Sequence, residues 1–458
     1  MALWVLPASP LYAHASEQAF VLLLPLGFYA AGGTLAVMLS IVLVTLVQPH
    51  QLAKLFQSSG KGSVPDLTWL VVVSSALATI TVWVLLWIGF YGPNDPQSNL
   101  LPLTIWTVWW VGVFVIQGLI FDIWRWLNPW WGAHWLMFGE GQPLLQLPKW
   151  LLAWPAVAMF LAFQIYVLAD IAPSDPDRLA GVILAYWLFN FAGMAVFGRD
   201  EWLRQVECFT VLFSLIGSLR AGQMWQRWRI GFPGWASSEL APLDLSRATF
   251  CLMILASGSF DGLQETFWWL GVLGINPLEF PGRSAVVGAS ALGLLAANAS
   301  LIAVFAGAVW VGLFALNAAG GGRPVGFQEA FTSLAITILP IALGYHVAHY
   351  LVSFLVQIQY VMSTLSDPLA KGWNLFGLGT LRVMTGFLNT PGTVKMIWLT
   401  QAGAVVISHI LAVLMSHNIA ARFCSGRRNL ILVQVGLSVL MIAYTVFGLW
   451  LLASPRGA

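Results

Sequence analysis

Two pairs of titratable residues stand out in a chain with little other ionic chemistry. His346 and His349 lie in Gly344-Tyr-His-Val-Ala-His-Tyr350, and Asp261 and Glu265 lie four residues apart in a second apolar stretch. Spacings of three and four put side chains on one helix face. His409 sits midway along a third apolar stretch, with His417 nearer its end. Imidazole and carboxylate are costly in lipid, so they face a bundle interior or a wet cavity. Together they suit Zn²⁺, Mn²⁺ or Fe²⁺ with a coordination position left for water. Without metal, the same groups serve as a general acid/base cluster or a proton relay. We therefore take Asp261 and Glu265 as candidate catalytic carboxylates, and Asp261, His346, His349 and His409 as candidate ligands of a divalent metal (Zn, Mn or Fe). The bland alternative for any single histidine is an interhelical hydrogen bond. His14, His50 and His134 fall in expected loops and are read as surface residues.

The elements that must position these groups are apolar and long. Of 458 residues 59% are hydrophobic and only 8% charged, far below the roughly one-quarter charge of soluble domains. Ten stretches of about 20 residues or more are read as spans: 19–47, 67–91, 100–121, 149–169, 179–197, 248–275, 285–317, 329–365, 396–421 and 430–452. The expected fold is an all-α polytopic transmembrane helix bundle with about ten spans plus interfacial or re-entrant helices. The net charge of +2 gives no nucleic-acid footprint, and the apolar spans make the lipid bilayer the expected partner. The oligomeric state is left open. Three scattered cysteines form neither a disulfide framework nor a metal spacing.

Residues 1–15 end in Ala13-His14-Ala15, the small-x-small form of a signal-peptidase site. They are expected to be a signal segment, leaving 16–458 as a single integral membrane domain. Ten crossings from an external N-terminus put most of the 20 basic residues on the cytoplasmic side, which obeys the positive-inside rule. Both termini are then external.

Local composition refines this outline. Residues 122–148 interleave Trp, Arg, Asn, Pro and His and are expected along the membrane surface. The apolar piece 208–219 is too short to span and reads as interfacial or re-entrant. Ser257-Gly-Ser-Phe-Asp-Gly262 predicts a broken helix around Asp261. The stretch 329–365 would be roughly 55 Å long as one helix, so Pro340 and Gly344 are expected break points.

Several motifs resemble one known family. Ala13-His-Ala-Ser-Glu-Gln-Ala-Phe-Val-Leu-Leu-Leu-Pro25, Trp124-Arg-Trp-Leu-Asn-Pro-Trp130, Phe197-Gly-Arg-Asp-Glu-Trp-Leu203 with Phe209-Thr-Val-Leu-Phe-Ser-Leu-Ile-Gly217, and Phe260-Asp-Gly262 with Thr266-Phe-Trp-Trp269 are similar to the membrane-bound fenitrothion hydrolases, over nearly the whole chain. That resemblance implies a multi-pass protein of the bacterial inner (cytoplasmic) membrane that hydrolyses apolar organophosphate triesters, a small apolar substrate being its other expected partner. It brings no catalytic-residue motif, so the site residues rest on their own chemistry. A proton- or metal-coupled transporter would use the same His/Asp/Glu cluster. Haem b ligation is a third option, disfavoured because histidines three apart cannot readily ligate one iron axially. The chain has no Gly-rich phosphate loop, no Gly-x-Ser-x-Gly and no Cys-x-x-Cys-His, which sets aside ATPases, serine hydrolases of that type and c-type cytochromes.

Overall fold

The computed structural model describes residues 25–60, 66–225, 227–280, 282–320, 325–377, 381–424 and 426–456. The expected signal segment 1–15, with His14, lies outside them. The architecture is an all-α helical bundle of a multi-pass membrane protein. Among the described residues, eight helices are long and apolar enough to cross a membrane: α1 (Leu26–Val44), α2 (Thr68–Tyr91), α3 (Leu100–Leu119), α7 (Pro176–Phe197), α10 (Val287–Ala318), the stretch Phe327–Ser366, α13 (Pro391–Ala420) and α14 (Arg427–Ala453). The other two expected spans are α6 (Trp154–Ala169), of 16 residues, and α9 (Leu245–Gln264), of 20. The only strands among the described residues form a small antiparallel hairpin, β1 (Gly222–Trp225) with β2 (Arg227–Ile230), in which Gly222 faces Ile230.

α9 is the axis of the bundle. It is buried from Ser246 to Gly262 on almost every face, and Asp244 caps its N-terminus by accepting the Arg247 amide. The expected break at 257–262 does not occur. Its small residues serve packing instead: Ser257 bonds Asn298 of α10, Ser259 Oγ lies 2.6 Å from the Tyr444 hydroxyl of α14, and a side chain on Gly262 would overlap the Tyr345 hydroxyl. The 327–366 stretch does break, but ahead of Pro340 and not at Gly344. It divides into α11 (Phe327–Leu334), a 3₁₀ turn at Ala335–Ile338 and α12 (Leu339–Ser366), with Pro340 in the first turn of α12, where its missing N–H costs nothing. Gly344 is continuous helix. Its bare backbone lets α13 approach so closely that a Cβ would strike Ser408 and lie 2.7 Å from the Ala404 carbonyl.

A second correction concerns 122–148. Its first half does not lie on the surface but turns into the bundle as α4 (Trp124–Leu127) and α5 (Trp131–Phe138). Ser75 and Thr79 of α2 donate to the carbonyls of Asn128 and Pro129, and Trp130 Nε1 donates to the Trp187 carbonyl midway along α7. Gly132 permits this, since a Cβ there would sit 2.5 Å from the Val72 carbonyl. His134, read as a surface residue, is consequently buried against Phe138 and Phe191. The short α8 (Cys208–Ile216) is also enclosed by protein, the re-entrant half of its expectation. Thr210 near its start accepts from both Trp124 Nε1 and Asn128 Nδ2. The two short inward-turned pieces therefore meet inside the bundle.

Candidate functional site

α9 ends where the chemistry begins. Glu265 is its C-cap, and the next residue, Thr266, caps the short helix Phe267–Val272 with its hydroxyl. Asp261, one turn back, faces α12. There Tyr350 donates its hydroxyl to Asp261 Oδ2 at 2.5 Å, and His349 Nε2 lies 3.1 Å from the same oxygen. Asp261 and His349 are each only 9% exposed. Glu265 faces Arg456, whose guanidinium is 3.4 Å away. Arg456 is held there because the chain end folds back: Phe267 donates its amide to the Pro455 carbonyl, and Thr266 and Arg456 form an isolated antiparallel bridge.

These groups form the floor of a cavity of about 430 Å³. Its mouth lies on the face carrying Pro96, Gln97, Pro173, Ser174, Arg283 and Arg456, while Trp106, Trp110 and Phe354 supply an aromatic wall. Behind the floor is a second cavity of about 20 Å³, large enough for a single water molecule. Trp110, Asp261, His349 and Tyr350 line both. No family model matches the chain, and no curated protein or solved structure matches it. A role for the site is therefore argued from its geometry.

Among the described residues, Asp261, Glu265 and His349 are the one group of His, Cys, Asp or Glu whose ligand atoms converge, all within 4.8 Å of one another. The other two expected ligands do not join them. His346 Nε2 lies 2.9 Å from the Trp110 carbonyl, which can only accept, so that nitrogen carries hydrogen and offers no lone pair. Its ring is stacked on Phe114 with centroids 4.2 Å apart. Trp110 belongs to a π-helical stretch of α3, Thr104–Val113. His409 donates Nδ1–H to the Val405 carbonyl one turn back in its own helix, and its Nε2 is buried without a partner. His417 Nδ1 accepts from Gln434 Nε2 at 3.2 Å, well apart from the cavity-lining residues.

Two contributors to the site and one buried scaffold carboxylate escaped the sequence reading. Tyr350 was noted only as a flanking polar tip, and nothing in the sequence marks Arg456 as a neighbour of Glu265. The scaffold carboxylate is Glu207, which is fully buried. It caps α8, accepting from the Phe209 and Thr210 amides and from the Tyr186 hydroxyl. An acidic residue immediately before the apolar run Cys208-Phe-Thr-Val-Leu-Phe is an N-cap signature that would have found it.

Proposed function

We propose that the chain is a membrane-embedded hydrolase of small apolar esters, with neutral organophosphate triesters of the fenitrothion type as the working substrate class. The observation that carries this reading is a buried carboxylate bonded to a tyrosine and beside a histidine on the floor of a cavity with an aromatic wall. An apolar aryl ester fits such a wall, and the polar floor is where water would react. As the water oxygen bonds phosphorus, its proton passes to the Asp261–His349 pair. The P–O(aryl) bond then breaks, with its electrons leaving on the aryl oxide. Tyr350 and His349 hold the carboxylate in place, and the half-exposed Glu265 is a second proton acceptor at the same floor. On the orientation expected from the basic residues, the mouth opens to the outside of a bacterial inner membrane.

The test is nitrophenolate release from an O,O-dialkyl O-nitrophenyl phosphorothioate by folded, detergent-purified protein. Turnover by wild type that is lost in Asp261→Asn and His349→Ala supports the reading. Absence of turnover by wild type, or turnover unchanged in both variants, overturns it.

One observation favours a second reading, proton-coupled transport: the four residues between the large and small cavities touch both. That is the arrangement of a gate. Uptake of an unaltered solute into proteoliposomes, abolished by Asp261→Asn, would select it. The unbroken course of α9 weighs the other way, because the broken helix that a midplane transport site commonly uses is not present at Asp261.

A further inference from the structure

We propose that Asp261, Glu265 and His349 constitute a divalent-cation site, and that the Arg456 guanidinium is its resident competitor, displaced when the metal ion binds. The inference concerns the same floor as the hydrolytic reading but does not depend on any hydrolysis.

The donor set fits. Two carboxylate oxygens and one imidazole nitrogen suit Mn²⁺, Fe²⁺ or Zn²⁺, and three protein ligands leave positions open toward the cavity. Atoms bonded to one ion at about 2.1 Å can lie at most about 4.2 Å apart. The three candidate atoms lie within 4.8 Å, and the His349–Asp261 pair is already at 3.1 Å. Closing the set needs a movement of under about 1 Å. Glu265 can make it, since its side chain is 43% exposed and anchored only to Arg456.

Charge argues in the same direction. Two carboxylates share the floor, and among the described ion pairs Arg456 is the one permanently charged cation paired to either of them, the other partner being His349. Arg456 is held at 3.4 Å, a long contact for a charge-assisted pair. A divalent ion seated between Asp261 and Glu265 would take over its role and repel it. Release of the tail and binding of the ion are then coupled, each opposing the other by the same factor.

The histidine is prepared for the exchange. Coordination through Nε2 requires the hydrogen to move to Nδ1, and a metal-bound histidine commonly donates that hydrogen to an outer partner. His349 Nδ1 is buried with no partner, and so is the Tyr345 hydroxyl. Both converge on the space that a side chain at Gly262 would occupy: the hydroxyl overlaps a Cβ built there, and Nδ1 lies 3.5 Å from it. Both residues also line the small inner cavity. The glycine thus leaves room for an acceptor where the coordinated imidazole needs one.

The ligand set differs from the one expected from sequence, with Glu265 in place of His346 and His409. The test is a titration of full-length, detergent-purified protein with Mn²⁺, reading free ion by electron paramagnetic resonance. Wild type should bind about one Mn²⁺ per chain, competed by Zn²⁺. Glu265→Gln and His349→Gln should weaken binding at least roughly tenfold, and His346→Gln should leave it unchanged. Arg456→Gln should tighten it roughly three- to tenfold, the effect of removing a partly buried competing charge. That gain separates a competitor from a structural ion pair, whose loss would leave affinity unchanged or lower. No stoichiometric Mn²⁺ in either wild type or Arg456→Gln overturns the proposal, as does binding unaffected by Glu265→Gln. Mn²⁺ binding in the expected pattern without ester turnover would remove the hydrolase reading and leave the cation site standing.

Discussion

Glu207 and Asp261 are both carboxylates buried in an apolar bundle, and both accept a tyrosine hydroxyl. Their surroundings are otherwise opposite. Glu207 sits at a helix N-terminus, its two oxygens occupied by two backbone amides and Tyr186, and it lines neither of the two cavities at the site. Asp261 sits at the end of a helix, one oxygen shared by Tyr350 and a histidine, between two cavities. Fixed backbone donors make a carboxylate part of the scaffold. Titratable side-chain partners beside a cavity leave it able to exchange protons or ligands. Burial alone does not distinguish the two.

Five variants would break or sharpen that contrast. Glu207→Ala should be the most damaging to folding, costing about 3–5 kcal/mol by orphaning the start of α8 and Tyr186. Thermal melting in detergent reads the loss, and a wild-type melt would mean Glu207 is no scaffold at all. Asp261→Asn should do the reverse. Ester turnover falls by about 100-fold or more, while stability changes by about 1 kcal/mol, because the amide still accepts from Tyr350. A comparable loss of stability would erase the difference between the two sites.

His346→Ala comes next, at about 2 kcal/mol of stability from the lost ring stack and hydrogen bond. Turnover should stay within about threefold of wild type, whereas His349→Ala should abolish it. The smallest effect belongs to Asp244, a scaffold carboxylate at the edge of the bundle. Burial pushes its carboxyl up, but hydrogen bonds from Ser246 and from the backbone and guanidinium of Arg247 outweigh that and hold it below the ordinary value. The stability it contributes is therefore present above the unfolded-state value of about 3.9 and lost as the pH falls through the lower folded value. Asp244→Asn should keep the helix cap, cost about 1 kcal/mol or less near neutral pH, and flatten the melting curve against pH below about 4.

The bundle was legible because a run of apolar residues can satisfy its backbone in lipid only as a helix, so each span announces itself. The site was legible in part. Asp261, Glu265 and His349 are set by helical spacing plus the cost of charge in lipid. His346 was grouped with His349 because three residues apart is near on a helix. That spacing still rotates the side chain by about 60°, enough to turn one ring toward Trp110 of α3 and the other toward Asp261 of α9. Arg456 lies 191 residues from its partner, a distance over which no local pattern carries information. The inward turn of 122–131 was hidden for a different reason. Tryptophans rich in polar neighbours look the same at a headgroup layer and in a buried polar network, and only the hydroxyls of Ser75 and Thr79 decide between them.

The meeting of the two short inward-turned pieces bears on how the protein is made. Neither α4 with α5 nor α8 can be handed across a bilayer as it leaves the ribosome, since neither is long enough to cross. The Trp124 and Asn128 donors acquire their acceptor only when Thr210 has been synthesised, 82 residues after Asn128. The hydroxyls of Ser75 and Thr79 and the Trp187 carbonyl, by contrast, find their partners in residues 128–130, which precede Thr210 in the chain. The packing of α4 against α8 is thus long-range in sequence, and it is completed only by residues that follow α7 in the chain.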